Sequence, residues 1–436
     1  MSWQLILIIF FGALFIALLS GMALPAAFAL ISTVGAWIFW GGIKGLPQMS
    51  LTLLSSVKSW SLLPIPLFIL MGEILFQTGI MKKALDVVDM WLGKLPGRLC
   101  VVGVLSSVLM GTFTGSSMAA TSMLSTSLVP EMQKRGYDTS FSLGSICGAG
   151  GLAMMIPPSS LAVTVATIAG ASVSKTLMGA IVPGLLMAAG YCVYIFGRAI
   201  LRPKDAPSYE VEKGPLKDRL IFTLKNIVPI ALIILSVSGV ILLGMATPSE
   251  AAACGVVASF IVTMAMRTLT LEKLKLALLN TVKTSAMLLT IMLGSGMFSS
   301  ILTYSGGTRG LILWVSTLGV SPKFIVFCFL LVVFFLGCFM ETNSIMFICL
   351  PIFIPVIKAL GFSDVWFCLL MMISCEMAES TPPFGVLLFL LKGLFPKEKM
   401  STIIKAAMPY LCADAVAMAI CFIFPQVTMW LPSLVK

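Results

Sequence analysis

Thr112-Phe113-Thr114-Gly115-Ser116-Ser117, followed by Pro130, Gly136-Tyr137 and Ile156-Pro157-Pro158, is the stretch on which the fold turns, because its pattern comes back in the second half of the chain without a gap. Pro130, Gly136, Tyr137, Pro157 and Pro158 align at one constant offset with Pro355, Gly361, Phe362, Pro382 and Pro383, and Gly115-Ser116-Ser117 falls on Met340-Glu341-Thr342. Each copy runs polar cluster, apolar arm, proline, Gly-aromatic, second apolar run, then a Pro-Pro break. Paired halves with hydrophobic segments interrupted at corresponding places point to the binding site of a transporter.

Bulk composition places the two copies in a membrane. The 436 residues are 59% hydrophobic and 10% charged, with mean hydropathy +1.08, whereas an ordinary soluble domain is about a quarter charged. Apolar runs recur from end to end, including Leu5 to Leu19, Val101 to Met110 with its continuation, Ile227 to Leu243, and Phe324 to Phe339. Met1-Ser2-Trp3-Gln4 lacks the basic region of a cleaved signal, so the first run is expected to be retained as a helix. The net charge of +11 lies between the apolar runs, where it sets orientation, and the interleaved basic and aromatic pattern of nucleic-acid binders is missing. Eleven cysteines without a CxxC pair suggest neither zinc nor a disulfide framework, and no histidine is present. An intramembrane enzyme would need a nucleophile-base or metal constellation, and neither HExxH nor GxSxG occurs.

The charges divide the chain. Residues 1–60 form an N-terminal helical region and 61–197 the first repeat, with a hairpin at about 99–132. Residues 198–225 form a cytoplasmic linker rich in Arg198, Arg202, Lys204, Lys213, Lys217, Arg219 and Lys225, and 226–436 the second repeat, with a hairpin at about 324–357. Lys82, Lys83, Lys94 and Arg98, then Lys134 and Arg135, flank the first hairpin, so both its ends are expected on the linker side. The second hairpin has only Lys323 and Lys358, which puts its ends outside and the two copies in inverted orientation. Both termini are then outside, with Lys44 and Lys58 against the pattern. The expected fold is an all-α polytopic membrane protein of two inverted-topology repeats, each with a re-entrant helical hairpin and a Pro-Pro-broken helix.

Three features carry candidate chemistry. Hydroxyls beside Gly115 let a helix unwind and offer hard oxygen ligands to an alkali cation, while the following helix presents free N–H groups to an anion; taken alone, such small residues equally let helices pack closely. Each Pro-Pro removes backbone donors and frees the carbonyls of the preceding turn. Two such breaks at equal spacing from two polar clusters, Ser116 to Pro157 and Glu341 to Pro382, are hard to attribute to kinks. The third feature is carboxylates in apolar sequence: Glu73, Glu250, Glu341, Glu376, Glu379 and Asp414. Those near the second break either balance bound cations or cap the broken helices.

At these residues the chain resembles the large membrane subunit of the tripartite ATP-independent periplasmic (TRAP) transporters. The matching stretches are Pro64-Ile65-Pro66-Leu67-Phe68-Ile69-Leu70-Met71-Gly72, Thr114-Gly115-Ser116-Ser117, Val129-Pro130-Glu131-Met132 leading to Gly136-Tyr137, Ile156-Pro157-Pro158-Ser159, Val182-Pro183-Gly184 and Ser380-Thr381-Pro382-Pro383-Phe384-Gly385. The resemblance implies an elevator-type secondary transporter with scaffold and transport domains, using sodium and sitting in the bacterial inner membrane. It also implies two partners, a small four-helix membrane subunit and a periplasmic substrate-binding protein. The expected substrate is a small organic anion such as a C4-dicarboxylate, a sialic acid, or another sugar or keto acid. One sodium would lie among Thr112, Thr114, Ala153, Ile156 and Pro157, a second among Gly337, Ala378, Thr381 and Phe384, and the hairpin tips Ser116, Ser117, Glu341, Thr342 and Asn343 would face the substrate. The chain departs from the family pattern at Ala153 and Ala378, where the family usually has Gly, at Trp366-Phe367-Cys368 for His-Phe-Gly, and at Ser374 for Asn. A stand-alone divalent-anion/sodium symporter or an ion antiporter of related architecture, working without a binding protein, is the alternative.

Overall fold

In the computed structural model the described residues are 1–58, 62–93, 95–114, 116–207, 215–383 and 385–434, and the side chains of residues 46, 56–57, 81–82 and 112–114 lie outside the description. Among them the chain is helical, without strands. The first half holds α1 (Trp3–Leu19), α2 (Leu24–Phe39), α3 (Leu46–Val57), α4 (Pro64–Thr78), α5 (Ile80–Leu92), α6 (Arg98–Thr114), α7 (Ser117–Lys134), α8 (Thr139–Leu152), α9 (Ser160–Ala169) and α10 (Val173–Leu201). The second holds α11 (Leu216–Ile234), α12 (Val240–Leu242), α13 (Pro248–Ala265), α14 (Leu271–Tyr304), α15 (Gly307–Thr317), α16 (Pro322–Gly337), α17 (Thr342–Ala359), α18 (Asp364–Glu379), α19 (Val386–Leu394), α20 (Met400–Ile423) and α21 (Pro425–Ser433). Six of the described helices are long and apolar enough to cross a bilayer, up to eight if two bent pairs each count as one span.

Helix boundaries follow the sequence punctuation. The Gly-aromatic pairs are helix stops: Gly136 and Gly361 take φ of 78° and 79°, a left-handed conformation that side chains disfavour. The next amides, Tyr137 and Phe362, reach back to the carbonyls of Met132 and Ile357 at 3.0 and 3.1 Å, closing the same C-terminal motif in both halves. In consequence α7 and α17 are equally long and bounded by mirrored residues, Ser117 with Thr342 at the start and Lys134 with Ala359 at the end. Asp138 then starts α8 by accepting from the Phe141 amide at 2.8 Å, and at the mirrored place Ser363 starts α18 by accepting from the Trp366 amide at 3.4 Å.

The two broken helices form the centre. From Phe141 to Leu152 every residue of α8 is buried, as is nearly all of α18. The glycines of α8 make this possible: a Cβ on Gly148 would sit 2.8 Å from the Tyr410 ring, and one on Gly151 would run into the Glu376 carboxylate.

The long helix α10 orders the two hairpins. Near its C-terminus Arg198 pairs with Asp138, at the entrance to α8, at 3.1 Å and with Asp205 at 2.8 Å. Gly97, just before α6, packs on Ile195 and Ala199 of the same end. Both arms of the first hairpin therefore open there. Nearer the other end Ala180 packs with Val365 and Leu369, at the entrance to α18, immediately after the second hairpin. Ala180 and Arg198 are five helical turns apart along α10, about 27 Å at roughly 1.5 Å per residue, so the two hairpins open toward opposite ends of α10.

The linker expectation needs correction. Residues 198–201 continue α10 and 216–225 belong to α11, leaving about 202–215 as the connection; Lys213 lies outside the described residues. α10 runs past Arg198, whose guanidinium is engaged by Asp138 and Asp205, and ends at Leu201, two residues before Pro203.

Candidate functional site

All five hairpin-tip residues singled out in the sequence, Ser116, Ser117, Glu341, Thr342 and Asn343, line one cavity of about 290 Å³. The α7 tip is set by Ser116, whose hydroxyl accepts from the Ala119 amide at 3.4 Å. Glu341 occupies the mirrored position before α17 without a side-chain cap, and instead its carboxylate accepts from the Asn343 side-chain amide at 2.9 Å. The opposite wall comes from α4 and α14, through Glu73 and Met287 among others.

The second break supplies the group that joins the tips. Glu379, the last residue of α18 and 5% exposed, accepts hydrogen bonds from the hydroxyls of Ser117 and Thr342, the first residues of α7 and α17. Its two oxygens thus hold both hairpins at once. The mirrored residue, Met154, lines the same cavity with a thioether. Glu379 stood in the sequence only as one carboxylate among several near the break; its alignment with Met154 was the signal that it is an addition of the second half.

The other carboxylates part company with it. Glu376 lies one turn earlier in α18, 1% exposed, in a separate buried group in which the Tyr191 hydroxyl donates to Asp414 at 2.5 Å and to Glu376 at 3.3 Å. Glu250 sits at the exposed start of α13, where it completes a capping box with Thr247 and has no part in the cavity. Glu73 lines the cavity, with its carboxylate accepting from Gln77 and Asn280 at 3.0 and 3.1 Å.

The sodium candidates divide between the two breaks. Around the first, Ala153 is fully buried, and its carbonyl has no helical amide to receive because residue 157 is proline. A Cβ on Gly111, near the end of α6, would lie 2.5 Å from that oxygen, so the missing side chain leaves a path from hairpin to carbonyl. The side chain of Ile156 is turned toward Gly184 of α10, leaving only its backbone for an ion, and the Pro157 ring is buried. The side chains of Thr112 and Thr114 lie outside the description. Around the second break the Thr381 hydroxyl donates to the Met377 carbonyl at 2.6 Å. A Cβ on Gly385 would lie 2.7 Å from each of the Glu379 and Thr381 carbonyl oxygens, so two oxygens face a space without a side chain. Phe384 lies outside the described residues. Gly337 abuts the Ala378 methyl, as Gly111 abuts Ala153. Clustered oxygens at a helix break fit a hard monovalent cation, while no group of three or more His, Cys, Asp or Glu side chains suited to a metal ion occurs among the described residues.

Two departures from the family pattern prove to be packing residues. Trp366 is 1% exposed, donates its indole N–H to the Cys421 carbonyl at 3.0 Å, and packs on Phe362 and Phe422, at the opposite end of α18 from Glu379. Ser374 donates to the Leu330 carbonyl of α16 at 3.0 Å, tying the second hairpin to its broken helix.

Comparison with known proteins identifies the family and the fold. Residues 8–427 match the family model described as the tripartite ATP-independent periplasmic transporter, DctM component. The chain is 30% identical over 387 residues to the C4-dicarboxylate TRAP transporter large permease protein DctM of Pseudomonas aeruginosa, covering 88% of this chain and 89% of that protein. It is 26% identical to the ectoine TRAP transporter large permease protein TeaC of Halomonas elongata, covering 96% of each. Among solved structures, the Alcanivorax borkumensis YdaH transporter, reported to have an unusual topology, shares the fold with a TM-score of 0.66 at 14% identity, over 87% of this chain and 88% of that one. With its repeated helix breaks and a match along almost its whole length, the chain belongs to the DctM-component family of tripartite ATP-independent periplasmic transporters, as a multi-pass membrane permease.

Proposed function

We propose that the chain carries a small organic acid inward across the bacterial inner membrane, driven by sodium, after delivery by a periplasmic substrate-binding protein and in complex with a small four-helix membrane subunit. The observation that carries this reading is the meeting of both hairpin tips at Glu379 in one cavity. Two hairpins whose tips both bond to Glu379 would hold a solute between them, and their opening toward opposite ends of α10 would let it be reached from either side in turn.

Sodium binds at the two breaks, one ion among the backbone around Ala153, Ile156 and Pro157 with Thr112 and Thr114, the other among Gly337, Ala378, Thr381 and Phe384. Each ion draws a hairpin arm against its broken helix and so orders the tip that contacts the solute. The domain holding both hairpins, α8 and α18 then moves as a body against a scaffold that includes α4 and α14, and the cavity lies on the boundary between the two. The linker and the open end of the first hairpin face the cytoplasm. Relatives whose names specify C4-dicarboxylate and ectoine support a small carboxylate-bearing solute.

The test is uptake of labelled organic acids into proteoliposomes containing this chain and its small partner, with and without a sodium gradient and the binding protein. Uptake requiring both is expected. Uptake that needs sodium alone would make the chain a conventional symporter, and uptake indifferent to sodium would overturn the coupling.

A further inference from the structure

We infer that the solute presents a positively charged nitrogen as well as a carboxylate, so that the cavity accepts a zwitterion and rejects a dicarboxylate. This rests on the transport reading above and narrows its substrate class.

The cavity is acidic. Glu73, Glu341 and Glu379 line it, and no Lys or Arg is among its described lining residues; the chain has no histidine at all. Neutral groups hold each carboxylate: the amides of Gln77 and Asn280 on Glu73, the amide of Asn343 on Glu341, and two hydroxyls on Glu379. No ion pair among the described residues includes any of the three.

Glu379 also stands where an incoming carboxylate would be received. Ser117 and Thr342 open two helices of five turns, and each such N-terminus is equivalent to roughly half a positive charge. A solute carboxylate placed between two such termini would need no further cation. The chain fills the position with its own carboxylate, one that the mirrored Met154 neither duplicates nor neutralises. Two bound sodium ions would leave three carboxylates incompletely balanced, and a dianion would add like charge at close range. An ammonium or amidinium group instead meets the carboxylates directly, while the Ser116 hydroxyl, the Asn343 amide and a sodium ion remain to receive the solute's single carboxylate. A cavity of about 290 Å³ restricts the solute to a small molecule.

The experiment measures thermal stabilisation of the detergent-purified complex of this chain with its small membrane subunit, in sodium chloride, by four probes: ectoine and glycine betaine as zwitterions, succinate as a dianion, and N-acetylneuraminate as a monoanion without a cation. At least one zwitterion should raise the melting temperature, and succinate should not. Glu379→Gln should weaken the zwitterion's half-saturating concentration at least about tenfold, and Glu379→Met, which copies the first half, should shift preference toward succinate. Stabilisation of the unaltered complex by succinate, by no zwitterion, or to an equal degree after Glu379→Gln overturns the inference. Sodium-driven uptake of succinate by the reconstituted system would overturn this inference and leave the transport reading standing, whereas uptake indifferent to sodium would count against the transport reading.

Discussion

The two halves share a backbone plan and differ in what they place on it. α7 and α17 begin and end at mirrored residues and stop on the same glycine motif, and each Pro-Pro break follows a buried helix against which the first arm of a hairpin packs. At the centre, however, Met154 and its mirror residue Glu379 line one cavity, and Gly151 lies against its own mirror residue, Glu376. The shared backbone plan supplies the architecture, and differences at a few mirrored positions make the site chemically one-sided. A symmetric carboxylate at both breaks would bring like charges together in a buried space; a glycine and a methionine in the first half avoid that.

The largest effect that would sharpen the comparison is at the tips. Ser116→Leu puts a bulky apolar side chain into the cavity lining and removes the cap of α7, and it is expected to abolish uptake in proteoliposomes while the protein still inserts and purifies with its partner. Retained uptake would break the assignment of the first tip to the solute. Next comes the close approach of hairpin arm and broken helix. Gly337→Ala forces a methyl onto that of Ala378 and should cost about 1–3 kcal/mol of stability, as overpacking does. Ala378→Gly in the same chain should restore the melting temperature; failure of that rescue would show that the contact is not what limits the position.

Much of this was legible in the residues. The Gly-aromatic and Pro-Pro signals repeat because each has a backbone cause, a left-handed stop and a missing amide, and local causes of that kind survive in sequence. The five tip residues were named through the family resemblance, and the structure brings them to one cavity. The bridging role of Glu379 was not legible, because Ser117 belongs to the other half of the chain and only folding brings the two together. Glu376 and Glu379 looked alike as neighbouring buried acids, yet they sit close to one helical turn apart, and the structure sends one to Tyr191 and Asp414 and the other to the tips. The charge-based linker was placed too widely because basic residues mark the membrane side and say nothing of where a helix ends.

A smaller effect tests the mirrored ties between hairpin and broken helix. In the first half the Ser107 hydroxyl of α6 donates to the Ala149 carbonyl of α8; in the second, direction reverses, and Ser374 of α18 donates to the Leu330 carbonyl of α16. Ala149 and Ser374 are themselves a mirrored pair. Ser107→Ala and Ser374→Ala should each lower stability by about 1 kcal/mol, the net worth of one buried hydrogen bond, and to similar degrees. A loss at Ser374 several times that at Ser107 would show that the second hairpin depends on its tie more than the first.

The smallest expected effect is at Thr381, where the hydroxyl donates to Met377 and still has lone pairs for an ion. Thr381→Val keeps the shape and removes the oxygen. If that oxygen contributes about 1 kcal/mol to one sodium ion, the sodium concentration for half-maximal uptake should rise roughly fivefold, with the maximal rate little changed at saturating sodium. The first break offers the control, because its ion would rest on backbone around Ala153 and should be indifferent to the change. Competition by lithium at the two breaks should therefore separate in the variant. An unchanged sodium dependence would remove Thr381 from the second site and leave the carbonyls of Glu379 and Thr381 facing Gly385 as its remaining oxygens.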